Sequence, residues 1–406
     1  MTGISLRESF KFGFWAFAAM SALTLSGCKK EEPAGNSKPA DAAAAPAEAG
    51  DEIVIGHFGS LTGAQATFGK STDNGIKLAV EEINASGGVS VNGVKRKVRL
   101  VSEDTEGKAE KAGTVVTKLI TKDKVAAVLG EVASKVSLQG APVCQEFGVP
   151  MITPSSTNPE VTKVGDMIFR VCFIDPFQGS AAAGFVQKDL KFTKVGVLFD
   201  QSSAYSVGLK DEFNKAFRAA GGTIVSEQAY NEGDPDFSAQ LTRIREAGPE
   251  ALFVPGYYSD IAKIAIQARK LGMNQPLVGG DGWDSEELGK NAKEAIEGCF
   301  YTNHYAPDQT TPEIVDFVTK YKANFGGTPD GLAALGYDAA RILFESMSRA
   351  KSIKGVDLRA AIAETKGFKG VTGSITINED RDAVKPVVVV ERKNAEWVFR
   401  STIAPE

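Results

Sequence analysis

Beyond Asp51 the chain repeats one unit: a short strand rich in Val and Ile, a loop rich in Gly or Ser, then an amphipathic helix. Such a pattern constrains the fold to parallel sheets with helices on both faces. Ile53 to Phe58 reads as the first strand. The helix that follows, near Lys70 to Ala85, places Ile76, Ala79, Val80 and Ile83 on one face, and Gly87-Gly88 stops it. Further strands are predicted at 98–103, 125–130, 150–154 and 168–173, with helices at 108–122 and 134–147 among them. The pattern restarts with strands at 194–200, 223–230, 251–255 and 276–279, separated by helices at 205–220, 237–246 and 261–271. Two such blocks predict an α/β protein of two Rossmann-like, doubly wound lobes. In the tail, strands at 374–378 and 384–391 and a turn at Lys393-Asn394 before Trp397 predict a closing antiparallel hairpin.

The 406-residue length suits two lobes rather than one core. With 43% hydrophobic and 24% charged residues, the composition is that of a globular protein. A net charge of −5 with no basic stripe argues against nucleic acid as a partner. Besides Cys28, the cysteines are Cys144, Cys172 and Cys299, an odd number without CxxC spacing, so neither a zinc site nor a disulfide framework is indicated. Buried thiols are the simpler reading; a single Cys144–Cys172 disulfide is the alternative.

The first residues have the parts of a secretory signal: Arg7 and Lys11, an apolar run from Phe12 to Leu25, then small residues. The run is too short to span a bilayer comfortably. Leu25-Ser26-Gly27-Cys28 resembles the lipoprotein consensus, which implies cleavage after residue 27 and acylation of Cys28. Residues 28–50, made of small residues, Pro and mixed charge, read as a flexible linker.

Motifs for catalysis are weak. The two histidines, His57 and His304, lie in no metal-binding pattern and read as surface or packing residues. Gly69-Lys70-Ser71 looks like the end of a phosphate loop between a strand and a helix, but the upstream glycine that motif requires is Ala64. There is no GxSxG elbow and no GxGxxG after a strand.

In open α/β sheets ligands bind beyond the carboxyl ends of the strands. There, Gly130 to Ser134 opens a helix whose backbone N–H groups and Ser134 hydroxyl suit a carboxylate. Ser155, Ser156 and Thr157 offer three consecutive hydroxyls after the next strand. From the second block come Tyr205, Gly256-Tyr257-Tyr258 and Gly279-Gly280-Asp281-Gly282-Trp283. Each motif alone reads as ordinary loop and capping chemistry. Together, an anion grip facing an acid and aromatic walls suits a zwitterion.

Four phrases carry a more specific likeness: Gly59 to Gly69 (GSLTGAQATFG), Asn74 to Gly88 (NGIKLAVEEINASGG), Val149 to Pro159 (VPMITPSSTNP) and Gly336 to Ala340 (GYDAA). From Ile53 to the C-terminal hairpin the chain resembles the leucine, isoleucine and valine-binding proteins among the type I periplasmic solute receptors of ABC importers. The resemblance implies a lobe of 51–174 and 306–383, a second lobe of 175–305 and 384–406, and a three-segment hinge near 174–176, 305–307 and 382–385. It implies that Ser134, Ser155, Ser156 and Thr157 hold the ligand carboxylate and that Thr157 and Asp281 take the ammonium. Tyr257 would close over the head group, and Phe68 with Tyr205 would line the side-chain pocket. Asp281 stands where such binders commonly carry Glu, and Ala133 where a disulfide cysteine would stand. The expected protein is a monomeric lipoprotein without cofactor or metal, serving an ABC permease by delivering an aliphatic amino acid. A sensory receptor on the same fold and an exported enzyme are the rival readings.

Overall fold

The computed structural model describes residues 52–405, all within one contact-defined unit. The signal, the lipidation site at Cys28 and the linker lie outside the described residues.

The first block contains β1 (Glu52–Gly59), α1 (Ala66–Ala85), β2 (Val89–Val91), β3 (Val94–Asp104), α2 (Ala109–Thr121), β4 (Val128–Leu129), α3 (Ser134–Phe147), β5 (Met151–Thr153), α4 (Glu160–Lys163) and β6 (Ile168–Arg170). Its sheet has the order β2-β3-β1-β4-β5-β6, parallel except for the β2–β3 hairpin. The second block runs through α5 (Asp175–Lys188), β7 (Lys194–Asp200), α6 (Ala204–Ala219), β8 (Thr223–Tyr230), α7 (Ser238–Glu246), β9 (Ala251–Phe253), α8 (Tyr258–Lys270), β10 (Leu277–Gly279), α9 (Glu286–Ala292) and β11 (Phe300–Asn303). Then come α10 (Pro312–Phe325), α11 (Gly331–Arg349), α12 (Gly355–Ala363), the small sheet β12 (Phe368–Gly370), β13 (Gly373–Ile377) and β14 (Ala383–Val384), and finally β15 (Val387–Lys393) and β16 (Glu396–Ile403). The second sheet has the order β16-β15-β11-β10-β9-β7-β8.

In each sheet the first strand lies between the second long strand and the remainder, so strand order reverses beside β1 and beside β7. These are the crevices where a doubly wound sheet offers its loops to a ligand. The chain leaves the first sheet after Arg170, comes back after Asn303 in helices packed on α1, and rejoins the second sheet at Val387. The closing hairpin forms as expected. Asn394 and Ala395 both take positive φ, 54° and 63°, a two-residue turn whose twist matches its strands.

Ile76, Ala79 and Val80 of α1 are buried as their spacing predicts, against a cluster that includes Ala333, Leu335, Ala339 and Leu343 of α11. The two helices meet at Gly75, where an added Cβ would stand 2.0 Å from the Ala333 carbonyl oxygen. Gly75→Ala therefore destabilises the fold by about 1–3 kcal/mol, the cost of overpacking a rigid contact, and denaturant unfolding of the variant reads it directly.

Some expectations need correction. Helix α1 starts at Ala66, so Gly69-Lys70-Ser71 lies within it rather than in a loop between strand and helix. Helices α5 and α10 to α12 fall outside the repeat from which the fold was inferred. Neither histidine is on the surface: His57 is buried with Nδ1 3.0 Å from Asp73 Oδ1, and His304 is buried beside Asp281. Cys144, Cys172 and Cys299 are free, buried thiols. Burial pushes the Cys144 and Cys172 thiols up, as for small apolar side chains, and the alternative disulfide does not form.

Candidate functional site

Asp281 opens a single 3₁₀ turn directly after β10 and is buried. Its Oδ1 accepts from Gln178 Nε2 at 2.9 Å and from the Tyr205 hydroxyl at 3.0 Å; Oδ2 lies 3.1 Å from His304 Nε2. Three elements of the second lobe thus converge on one carboxylate: α5 through Gln178, α6 through Tyr205, and the segment after β11 through His304. Burial pushes His304 down to about 4, so at neutral pH its ring is uncharged and Nε2–H donates to Asp281. No Lys or Arg forms an ion pair with Asp281 among the described residues. The turn itself depends on Gly282, because a Cβ there would stand 2.6 Å from the Gly256 carbonyl oxygen. Its N–H donates to the Tyr205 oxygen at 3.1 Å.

Across the cleft the loop after β5 is held from behind by Arg170. That side chain is fully buried; its guanidinium donates to the carbonyls of Ser156 and, at 2.9 Å, Asn158, and its Nε to Asp382 Oδ1 at 2.5 Å. The Ser155 hydroxyl is buried without a partner, whereas the Thr157 hydroxyl serves the buried Asp175 carboxylate. Ser156 differs: its hydroxyl lies 2.9 and 3.0 Å from the carbonyl oxygens of Glu131 and Val132, where it ties two loops together. Ser134 begins α3, is buried, and accepts from the Asn158 N–H at 3.4 Å.

A small, tightly closed cavity lies between these groups. Among the residues named from the sequence, Phe68, Ser155, Tyr205, Tyr257 and Asp281 line it; Ser134, Ser156 and Thr157 do not reach its wall. Tyr205 and Tyr257 stack with centroids 5.1 Å apart, and Phe68 meets Tyr257 edge-on at 5.8 Å. Val132 and Leu332 complete the apolar side. The sequence reading missed both, as it missed Gln178 and His304. His304 did carry a signal, since it closely follows a strand; Gln178, inside a helix, carried none.

The cleft is shut. Gln65 Nε2 donates to Glu232 Oε1 at 2.8 Å, Lys135 pairs with the same carboxylate, Thr67 and Ser285 hydroxyls meet at 3.0 Å, and the Tyr258 hydroxyl donates to the Ala64 carbonyl at 2.9 Å. All four contacts join residues before β6 to residues after β7. An enclosed carboxylate with only uncharged donors, opposite the unpartnered Ser155 hydroxyl and between aromatic walls, is equipped to take a small cation-bearing polar molecule out of water.

The comparisons with known proteins agree with this geometry. The family model described as "Periplasmic binding protein" matches residues 52–396. A Leu/Ile/Val-binding protein homolog 3 of Brucella melitensis is 32% identical over 341 residues, 82% of this chain and 89% of that protein. The crystal structure of a leucine binding protein, LivK, from Thermotoga maritima superposes with a TM-score of 0.83 at 40% identity, covering 87% of this chain and 99% of that one. LivJ from Streptococcus pneumoniae, a branched-chain amino acid transporter substrate binding protein solved in complex with isoleucine, gives 0.82 at 31% identity, covering 87% and 100%. With its two doubly wound lobes and the crevice between them, the chain belongs to the periplasmic binding protein family.

Proposed function

We propose that the protein is an extracytoplasmic receptor that captures an aliphatic amino acid, of the leucine, isoleucine and valine class, and hands it to an ABC importer. The observation that carries this reading is Asp281: a buried carboxylate with three neutral donors and no basic partner leaves room for one cation. A ligand ammonium supplies that cation, while the unpartnered Ser155 hydroxyl receives the carboxylate. Phe68, Val132, Tyr257 and Leu332 give the side chain an apolar seat. The relatives that bind leucine or isoleucine support the ligand class.

Because the two grips stand on different lobes, the ligand stabilises the shut form through contacts that an open form lacks. The crossings near 174–176, 305–307 and 382–385 serve as the hinge, dividing the lobes at 51–174 with 306–383 and 175–305 with 384–406. Cys28, acylated, tethers the receptor to a membrane, and the protein is a carrier rather than an enzyme. A thermal-shift series over the common amino acids tests the reading: leucine, isoleucine or valine at about 100 times its dissociation constant stabilises the fold by about 2.7 kcal/mol. A series in which no amino acid raises the midpoint overturns it.

A further inference from the structure

His304 touches the cleft on one edge only. Its Nε2 faces Asp281 at 3.1 Å, its ring stacks on Phe173 with centroids 3.8 Å apart, and its buried Nδ1 has no partner. The residue also forms part of the wall of a second cavity, about 740 Å³, between the segment after β11, the β12–β13 turn and Pro386. With Nε2–H directed at Asp281, the free lone pair is on Nδ1, the only ring position where a proton can be added. Adding it turns the ring into an imidazolium hydrogen-bonded to the same carboxylate that lacks a cation.

We propose that His304 is the positioning residue of the cleft, and that a proton on its ring competes with the ligand's ammonium group for Asp281. The proposal rests on the amino-acid reading given above. With His304 neutral, its N–H and that of Gln178 hold the carboxylate in place while leaving its charge for the ligand. With His304 protonated, Asp281 already has an internal counter-ion, and a bound ammonium would lie beside a second cation. Ligand capture therefore expels a proton, or keeps one out.

The sign follows from burial. His304 has an ordinary value of 6.5 and is pushed down to about 4 in the shut form, chiefly by desolvation, with the Asp281 hydrogen bond opposing the shift. Burial thus already holds the ring neutral in the shut cleft; an ammonium on Asp281 adds a second cation beside it, so ligand binding is strongest where His304 is neutral and weakens as pH drops through the value His304 has in the unliganded protein. The other charged groups around the ring are Lys385, which has Asp338 against it, and, across the second cavity, Glu313 and Lys369. Asp175 and Cys172 feel the same Asp281 charge. Burial moves Asp175 up to about 8, Lys385 down to about 8 and Cys172 up to about 12; Asp175, raised from its ordinary 3.8, acts over the same acidic range with the opposite sign, a background common to the native protein and its His304 variant.

The experiment is calorimetric titration of the full chain with L-leucine from pH 7.5 to pH 4, for the native protein, His304→Gln and the cavity-wall control Glu313→Gln. In the native protein and in Glu313→Gln the affinity falls as the pH is lowered, by up to tenfold for each pH unit once His304 of the unliganded protein takes up its proton. His304→Gln, which keeps a donor for Asp281 but takes up no proton, loses the slope. Equal slopes in the native protein and His304→Gln overturn the proposal while leaving the amino-acid reading intact; absence of leucine binding at pH 7.5 overturns both. Should His304→Gln fail to fold, ring NMR of the native chain gives the answer, since only two histidines contribute signals. Leucine lowers the titration midpoint of one of them; midpoints unmoved by saturating leucine overturn the proposal.

Discussion

Asp281→Ala weakens amino-acid binding by about 2–5 kcal/mol, from roughly thirtyfold to several thousandfold in dissociation constant, as expected when a buried charge loses its partner. On the proposed reading the loss exceeds that of an ordinary hydrogen bond, because Asp281 would meet the ligand's ammonium inside a shut cleft. Without it the ligand's cation would be enclosed among the Tyr205 hydroxyl, the Gln178 amide and the His304 ring, all of which direct donors to the same point. Asp281→Asn keeps the volume but removes the charge, so it falls nearer to Ala than to the native protein. Calorimetry at neutral pH measures both variants, and denaturant unfolding without ligand confirms that each is folded. A dissociation constant unchanged in Asp281→Ala would remove this residue from the site.

Arg170→Met costs about 3–5 kcal/mol of folding stability, because it strands Asp382 in the interior after its ion-pair partner is gone. Beyond that pair, the guanidinium serves the carbonyls of Ser156 and Asn158, so the loop bearing the Ser155 and Thr157 hydroxyls loses its backing at the same time. The side chain is 0% exposed, which leaves water no route to replace it. Urea unfolding should show the loss with an unchanged slope, and Arg170→Met combined with Asp382→Asn should recover part of it by removing the stranded charge. A double variant no more stable than the single one would show that the carbonyl contacts, not the ion pair, hold the energy.

Strand and helix alternation was legible before residue 280 because most elements there bury one apolar stripe, and the period of that stripe differs between β and α; α5, which has no such stripe, was missed. The segment from α10 to α12 breaks the alternation with consecutive helices, and no local signal says which sheet they cover. Their place is set by α1, through a contact as close as Gly75 against Ala333, and such a contact is tertiary information. The site divided in the same way. Ser155, Tyr205, Tyr257 and Asp281, chosen from loops that follow strands, share one cavity with Phe68, which the family resemblance supplied. Ser156 was indistinguishable from its neighbours in sequence, yet its hydroxyl is spent on the Glu131 and Val132 carbonyls. Gln178 reaches Asp281 from a helix, and only the crossing of the chain between the sheets puts it there.

That crossing pattern also governs how the molecule can be made. Helix α1 (Ala66–Ala85) buries its apolar face against α11 (Gly331–Arg349), which emerges only after every parallel strand of the other sheet. During synthesis the earliest half therefore waits, incompletely covered, while the middle of the chain can already assemble around its own strands. A ribosome-stalled or truncated product ending before residue 331 would carry one half lacking only its closing hairpin and one with an open greasy face, the species most in need of a chaperone.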